Sequence, residues 1–318
     1  MIARRTLFSG AATLLAASTV LGGVALNAQE FEEIPLWPGK PPGKGNVSGP
    51  ELIGSKGAGF GAVSKVSNPR LRVYRPTHPN GRAVLVIGGG GYFRIQLWKE
   101  STPAAQWLQR NGYGLRADPS PSGRRMEAAA PFMDAQRAMK IVRHRADEFG
   151  IRSDRIGILG FSAGGHLAGY TALKPDQAFY TGTDRIETAS ARPDFAALLF
   201  PVVTLRKPYE TTRTRREIVG REPSLAAQEL WSLDTHASKD APPMILFSSA
   251  DDQTTPPGHN FALFEALNRA GASVEMHIFS AGGHGWGLGT PDQTLSQWPA
   301  LFTTCLDTQI TQTITQKK

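Results

Sequence analysis

Residues 156–166 read Ile-Gly-Ile-Leu-Gly-Phe-Ser-Ala-Gly-Gly-His, placing Ser162 between Gly160 and Gly164 in a Gly-x-Ser-x-Gly pattern. A serine held on a sharp turn from strand to helix presents its hydroxyl for nucleophilic attack. The turn is so tight that side chains two residues to either side would collide, which calls for glycine at both places. The pattern alone is common. Its context is more informative: a strand-like apolar run precedes it, and a helix-like run, residues 163–173, follows.

A hydroxyl nucleophile needs a base, and the base needs an acid to orient it. After such an elbow the acid follows in the chain and the histidine comes last. His236, His259, His277 and His284 are the histidines well beyond Ser162. His277 falls inside a strand run, His259 opens a helix, and His236 precedes the strand that should carry the acid. His284 lies in Ala281-Gly-Gly-His-Gly-Trp-Gly287, a loop directly after the last strand, where an imidazole can reach across to the elbow. The acid is expected after the preceding strand, in Ala250-Asp-Asp-Gln-Thr-Thr-Pro256. Either aspartate there could hold the second imidazole nitrogen. Asp252 is preferred because such loops usually place the acid four residues before the proline, and Asp251 would then cap the loop.

A tetrahedral intermediate needs hydrogen-bond donors for its oxyanion. Gly88-Gly-Gly-Gly-Tyr92 follows an inner strand, and N–H groups without side chains can approach closely there. Gly90 and Gly91 are assigned to this task, with the N–H of Ala163 after the nucleophile. A dinucleotide-binding loop would need a third glycine at position 93, which is Phe93. Tyr92 and Trp286 adjoin these loops and are expected to contact substrate. His166, one helical turn after Ser162, is expected to pack and hydrogen-bond behind the elbow.

The elements that must position these groups are legible as alternation. Strands are expected at 71–74, 83–87, 113–117, 155–159, 195–200, 244–249 and 274–279. Helices are expected at about 103–110, 129–149, 163–173, 258–270 and 294–307. The last three strands lack polar alternation, as happens when helices cover both faces of a parallel sheet. The reading is an α/β fold with a doubly wound, mostly parallel sheet. Residues 29–70 read as an extended segment lying on the domain. Residues 174–194 and 201–243 interrupt the alternation and are candidates for a small cap over the site.

The chain has 318 residues, 40% of them hydrophobic, with 34 Gly and 23 Pro, enough for one large domain with many tight turns. That domain is expected over 29–310, with a polar, frayed tail at 311–318. Residues 1–28 read as a bacterial export signal: Arg4-Arg5 leads an apolar stretch from Leu7 to Leu26, and cleavage fits after Ala25 or Ala28. The arginine pair is compatible with the twin-arginine route, and the mature chain is expected in the periplasm or medium with no stable membrane insertion. A single cysteine, Cys305, excludes an intrachain disulfide and reads as core packing. Paired metal-ligand spacings are absent. The formal charge is +8, without a nucleic-acid motif or a block of consecutive basic residues. Arg206, Lys207, Arg213, Arg215, Arg216 and Arg221 cluster in one stretch, read as a solvated surface.

Several stretches together resemble a bacterial family of exported α/β-hydrolases, the acetyl-xylan-esterase-like and lipase/esterase-like proteins often found with polysaccharide-degrading systems. They are Ile34-Pro-Leu-Trp-Pro-Gly39, Gly88–Tyr92, Asp134-Ala-Gln-Arg-Ala138, Gly160–His166, Pro193-Asp-Phe195, Ala250-Asp-Asp252 and Gly282-Gly-His-Gly285, in matching order along the chain. The resemblance implies the α/β-hydrolase fold and ester hydrolysis on acetylated sugars, without a cofactor. It departs from this chain at Gly88, where relatives usually carry Pro or His, and after residue 117, where Asp118-Pro-Ser-Pro-Ser-Gly123 replaces a Tyr-Arg-type sequence. The expected partner is a small-molecule or oligosaccharide ester. A peptidase of the prolyl-oligopeptidase type shares the layout but generally carries a large gating domain, for which this chain has no room. A non-catalytic binding protein on the same fold is the remaining alternative.

Overall fold

Where two layers of helix enclose a parallel sheet, the strand residues must be apolar on both faces, and they are. In the computed structural model, which describes residues 31–316 apart from 43–48, 114, 119–128 and 183, Ala83–Ile87, Ile156–Phe161, Phe195–Leu199 and Met244–Ser249 are buried throughout. The expected signal at 1–28 and most of the Asp118–Gly123 departure lie outside the described residues.

In chain order the strands are β1 (Glu32–Pro35), β2 (Leu52–Ile53), β3 (Ala62–Ser64), β4 (Arg70–Val73), β5 (Ala83–Ile87), β6 (Ile95–Gln96), β7 (Leu115–Asp118), β8 (Ile156–Phe161), β9 (Phe195–Leu199), β10 (Met244–Ser249) and β11 (Val274–Phe279). Eight form one sheet in the order β1-β4-β7-β5-β8-β9-β10-β11. The run from β7 to β11 is parallel, while β4 pairs antiparallel with both β7 and β1. The helices are α1 (Thr102–Arg110), α2 (Ala130–His144), α3 (Ala146–Phe149), α4 (Ala163–Leu173), α5 (Arg213–Ile218), α6 (Leu225–Leu230), α7 (Gly258–Ala270) and α8 (Trp298–Gln316).

Side chains alternate across the sheet into two cores. Leu85, Ile158, Leu198 and Leu246 meet Phe132 of α2, Leu167 of α4 and Leu263 of α7 on one face. Val86, Leu159, Leu199 and Phe247 meet Leu108 of α1 and Trp298 and Phe302 of α8 on the other. At roughly 1.5–3 kcal/mol for each large side chain taken from water, these two layers supply the main driving force. Cys305 is buried in the second, as expected. The architecture is the expected doubly wound α/β fold.

Three expectations change. Residues 29–70 are more than an extended segment: they supply β1 to the main sheet, and β2 and β3 to a three-stranded sheet with β6. Strands of two to four residues are too short to show a period. Residues 174–194 do not cover the site. Arg137 of α2, 1% exposed, pairs with Asp184 and Glu187 of this excursion and donates to the Leu36 carbonyl at 2.8 Å. Trp37 Nε1 donates to Asp134 Oδ1 at 2.7 Å. A buried guanidinium must be paired, so α2 draws both segments to its own face of the sheet. Finally, α8 runs to Gln316 through most of the expected tail, because no Gly or Pro follows Pro299 to stop it.

Candidate active site

Ser162 sits at the carboxyl end of β8 with φ 51° and ψ −118°, a backbone region costly for any residue but glycine. Its N–H donates to the Leu199 carbonyl at 2.9 Å, and its carbonyl accepts from His166 in the first turn of α4, which together lock the turn. The flanking glycines are sterically required. A Cβ on Gly160 would lie 2.1 Å from the Gly164 carbonyl oxygen, and one on Gly164 would lie 2.5 Å from the carbonyls of Ile87 and Gly88.

The loops after β10 and β11 bring the other two groups to this hydroxyl. His284 Nε2 is 2.9 Å from Ser162 Oγ, and His284 Nδ1 is 2.7 Å from Asp252 Oδ2. Asp252 is 1% exposed, and its Oδ1 accepts the N–H groups of Thr254 at 2.8 Å and Thr255 at 2.9 Å. Asp251 faces outward and accepts the N–H of Gly283 at 2.8 Å. The choice left open between the two aspartates is therefore resolved in geometry: Asp252 holds the imidazole, and Asp251 caps the loop that carries it. Phe200 packs its ring against His284 with centroids 4.9 Å apart.

Gly90 and Gly91, after β5, line the same cleft as Ser162. Neither N–H donates to a backbone carbonyl among the described residues. Ala163 opens α4, where the first N–H groups have no intrahelical partner and the helix dipole is positive. Gly90 and Gly91 thus share the cleft with Ser162, and Ala163 is the residue that follows the nucleophile into the helix.

The cleft has a volume of about 410 Å³. Its walls come from Gly57–Phe60 of the N-terminal segment, from Phe93–Glu100 after the glycine loop, and from Thr212–Thr214 at the start of α5. Part of the 201–243 excursion thus does border the site. Arg213 lies over the Phe93 ring at 4.7 Å and pairs with Glu217 at 2.6 Å. Arg206 pairs with Asp234, so two members of the basic stretch are neutralised locally.

Two expected substrate contacts do not line this cleft. Tyr92, with φ 64°, turns its ring into the core, where it stacks on Phe132 and its hydroxyl meets His166 Nδ1 at 2.7 Å. Trp286 packs against Phe200 and Phe279 in the core under α8. Each adjoins a loop of the site in sequence, but a large apolar ring next to a core is drawn inward. The aromatic rings in the cleft are Phe60, Phe93 and Trp98. Sequence position gave no sign of Phe60, which reaches the site from more than a hundred residues before the nucleophile.

His166 is buried behind the elbow. Its Nε2 lies 2.6 Å from the Trp231 carbonyl, which can only accept, so Nε2 carries the proton and Nδ1 receives the Tyr92 hydroxyl. Burial holds its pKa down at about 4. Its place is structural, as read from the sequence. Among the described residues no group of His, Cys, Asp and Glu side chains is gathered to hold a metal ion.

One charged residue in the wall was not anticipated. Glu100 is 3% exposed, and its Oε2 accepts the Gly89 N–H at 2.7 Å. Burial raises its pKa to about 7 against the opposing pull of that hydrogen bond, His284, Lys99 and Arg94. An acidic residue ending the Leu97-Trp-Lys-Glu100 run was its only trace in the sequence.

The model of the BD-FAE family matches residues 71–267. A curated acetylxylan esterase from Xylanibacter ruminicola is 29% identical over 235 residues, which is 72% of this chain and 46% of that protein. The chain spans less than half the length of the curated relatives it matches. Among solved structures, the acetyl ester-xyloside bifunctional hydrolase from Caldicellulosiruptor lactoaceticus superposes with a TM-score of 0.72 at 28% identity, covering 87% of this chain and 96% of that one. A thermophilic esterase from the Planctomycetes species Thermogutta terrifontis gives a TM-score of 0.64 at 27% identity, covering 76% and 88%.

Proposed function

The chain belongs to the BD-FAE family, and from that premise we propose that it is a serine carboxylesterase removing short acyl groups, acetyl foremost, from sugars of plant polysaccharide. The observation that carries the reading is the imidazole of His284, held between Ser162 Oγ at 2.9 Å and Asp252 Oδ2 at 2.7 Å on the floor of an open cleft.

The chemistry is acyl transfer in two steps. His284 Nε2 takes the proton of Ser162 Oγ as the oxygen attacks the ester carbonyl, and Asp252 stabilises the imidazolium that forms. The N–H groups of Gly90, Gly91 and Ala163 receive the oxyanion. The alcohol leaves with the proton from His284. Water, activated by the same imidazole, then attacks the acyl-Ser162 ester and releases the acid. The Phe60 and Trp98 rings in the cleft offer flat apolar faces of the kind sugars stack on. The activities of the relatives, on acetylxylan and on acetyl ester-xyloside, support an acetylated xylose-based substrate.

Acetate release from acetylated xylan and turnover of para-nitrophenyl acetate test this. Ser162→Ala is expected to lower both by at least roughly a thousandfold with the fold intact. Undiminished turnover in that variant, or acetate from neither substrate with the unmodified protein, would overturn the reading.

A further inference from the structure

The acyl-transfer chemistry leaves one buried carboxyl group in the cleft unused. Glu100 lies on a π-helical turn, Leu97–Ser101, that leads into α1. Such turns are wider than an α-helical one and recur at functional sites. Glu100 is 3% exposed, yet it forms part of the wall that carries Ser162 and His284. Its Oε2 is occupied by the Gly89 N–H. Its Oε1 receives no hydrogen bond from any described residue.

The surroundings of Oε1 are specific. A Cβ on Gly285, the residue after His284, would lie 3.6 Å from Glu100 Oε1 and 3.8 Å from Lys99 Nζ. A carboxylate oxygen and an ammonium therefore face one small space beside the imidazole, and glycine leaves that space open. On the opposite side, a Cβ on Gly89 would lie 2.9 Å from Glu100 Oε2 and 2.9 Å from Ser162 Cβ. The carboxyl group thus holds the glycine loop beside the nucleophile and lies next to the loop that carries the imidazole.

Glu100 Oε1 is open to the cleft and takes its hydrogen-bond donor from there, from water or from a bound molecule. Lys99, exposed at the cleft, offers three donors. A hydroxyl group both donates and accepts, so one hydroxyl satisfies both residues, whereas an alkyl chain satisfies neither. The space adjoins His284, the group that hands its proton to the departing alcohol.

We propose that Glu100 and Lys99 form a subsite for a free hydroxyl on the alcohol half of the ester, on the carbon next to the one that bears the acyl group. The inference rests on the esterase reading above and adds to it the feature of the alcohol that is recognised. Partly acylated sugars are then better substrates than alkyl esters or sugars with every hydroxyl blocked.

The test compares kcat/KM for a mono-acetylated methyl xyloside with a free neighbouring hydroxyl against its deoxy counterpart, which has hydrogen there. Above pH 7, where the Glu100 carboxyl is ionised, the unmodified protein is expected to favour the hydroxyl-bearing ester by about tenfold or more, the effect of one hydrogen bond to a charged group. In Glu100→Gln, where the carboxamide oxygen can still receive Gly89 N–H but an NH₂ group faces the cleft, the ratio should fall to within about threefold of unity. Lys99→Met should lower it in the same direction. A ratio does not depend on the fraction of folded protein or on the support Glu100 gives the glycine loop. A ratio near one in the unmodified protein, or a wild-type ratio retained in both variants, overturns the subsite and leaves the esterase reading intact. Hydrolysis of neither ester by the unmodified protein removes both.

Discussion

Asp251 and Asp252 are neighbours in the chain, yet their carboxylates serve different parts of one loop: Asp252 Oδ2 meets the His284 imidazole at 2.7 Å, and Asp251 Oδ1 holds the Gly283 N–H at 2.8 Å. The β10 strand ends at Ser249, and a turn closed by the Asp252 N–H on the Ser249 carbonyl at 3.3 Å leaves Asp251 exposed and Asp252 buried. One aspartate fixes the imidazole, the other the backbone that delivers it.

Substitution should separate these tasks. Asp252→Asn leaves the geometry nearly unchanged but can present an NH₂ group to Nδ1, favouring the wrong imidazole tautomer, and kcat on an aryl acetate should fall by roughly 10³–10⁴-fold. Asp251→Asn keeps an acceptor for Gly283 and should cost less than about tenfold. Steady-state kinetics on the two variants decides the matter, and equal losses would contradict the division.

Tyr92→Phe should affect stability rather than substrate affinity. The change removes the donor to His166 Nδ1 and leaves a buried acceptor unpaired, at a cost of about 1–3 kcal/mol. Urea denaturation should show that loss, while KM for a small acetyl ester stays within about twofold, because the ring lies outside the cleft. A large rise in KM would restore Tyr92 to the substrate site.

Acid should unfold the protein through its buried imidazoles. Burial lowers the pKa of His166 and of His259 from 6.5 to about 4. The unfolded chain thus takes up protons first as pH falls. Stability present above pH 6.5 is lost progressively down to about pH 4, by an amount on the order of 3 kcal/mol for each group. His259 Nδ1 accepts the N–H groups of Val203 and Thr204, so its neutral form is the one the fold holds. In His259→Gln the slope of stability against pH across this window should become shallower by about one proton, as read by denaturation at several pH values.

Glu100 acts in the opposite direction. Its folded pKa of about 7 lies above the ordinary 4.5, so the folded state keeps a proton that the unfolded state has released. Stability therefore falls as pH rises from 4.5 to 7 and is flat beyond, by an amount on the order of 3 kcal/mol. The groups facing the carboxyl are the Gly89 N–H, His284, Lys99 and Arg94, and the value already includes their attraction. Glu100→Gln lacks this titration, so its stability relative to the unmodified protein should improve over the same interval. A difference independent of pH would contradict the assignment.

The centre of the parallel sheet was legible because β5, β8, β9 and β10 are runs of apolar or small residues buried throughout, whereas the edge strand β11 alternates, with Glu275 and His277, and is only half-buried. Ala83–Ile87, Met244–Ser249 and Val274–Phe279 match the expected boundaries residue for residue. Chemistry tied to a tight backbone was legible too, since only glycine fits beside Ser162. The cleft walls were not. Phe60 arrives on a 3₁₀ turn next to a two-stranded pairing, and Glu100 is carried inward by a π-helical turn. Neither device has a sequence period, and both depend on contacts between segments far apart in the chain. The inward turn of Tyr92 follows from a positive φ that no non-glycine residue announces.

The salt-bridged guanidinium on α2 also defines the smallest piece of this chain able to stand alone. Arg137 is satisfied by the Leu36 carbonyl on one side and by Asp184 and Glu187 on the other. A fragment cut to the 71–267 match would strip Leu36 and Trp37 from the helix, removing one acceptor from Arg137 and one donor from Asp134. It would also lack β11 and the loop bearing His284. Expression boundaries should therefore take in β1, Leu36 and Trp37 at one end and the buried part of α8 at the other, following that packing rather than the limits of sequence similarity.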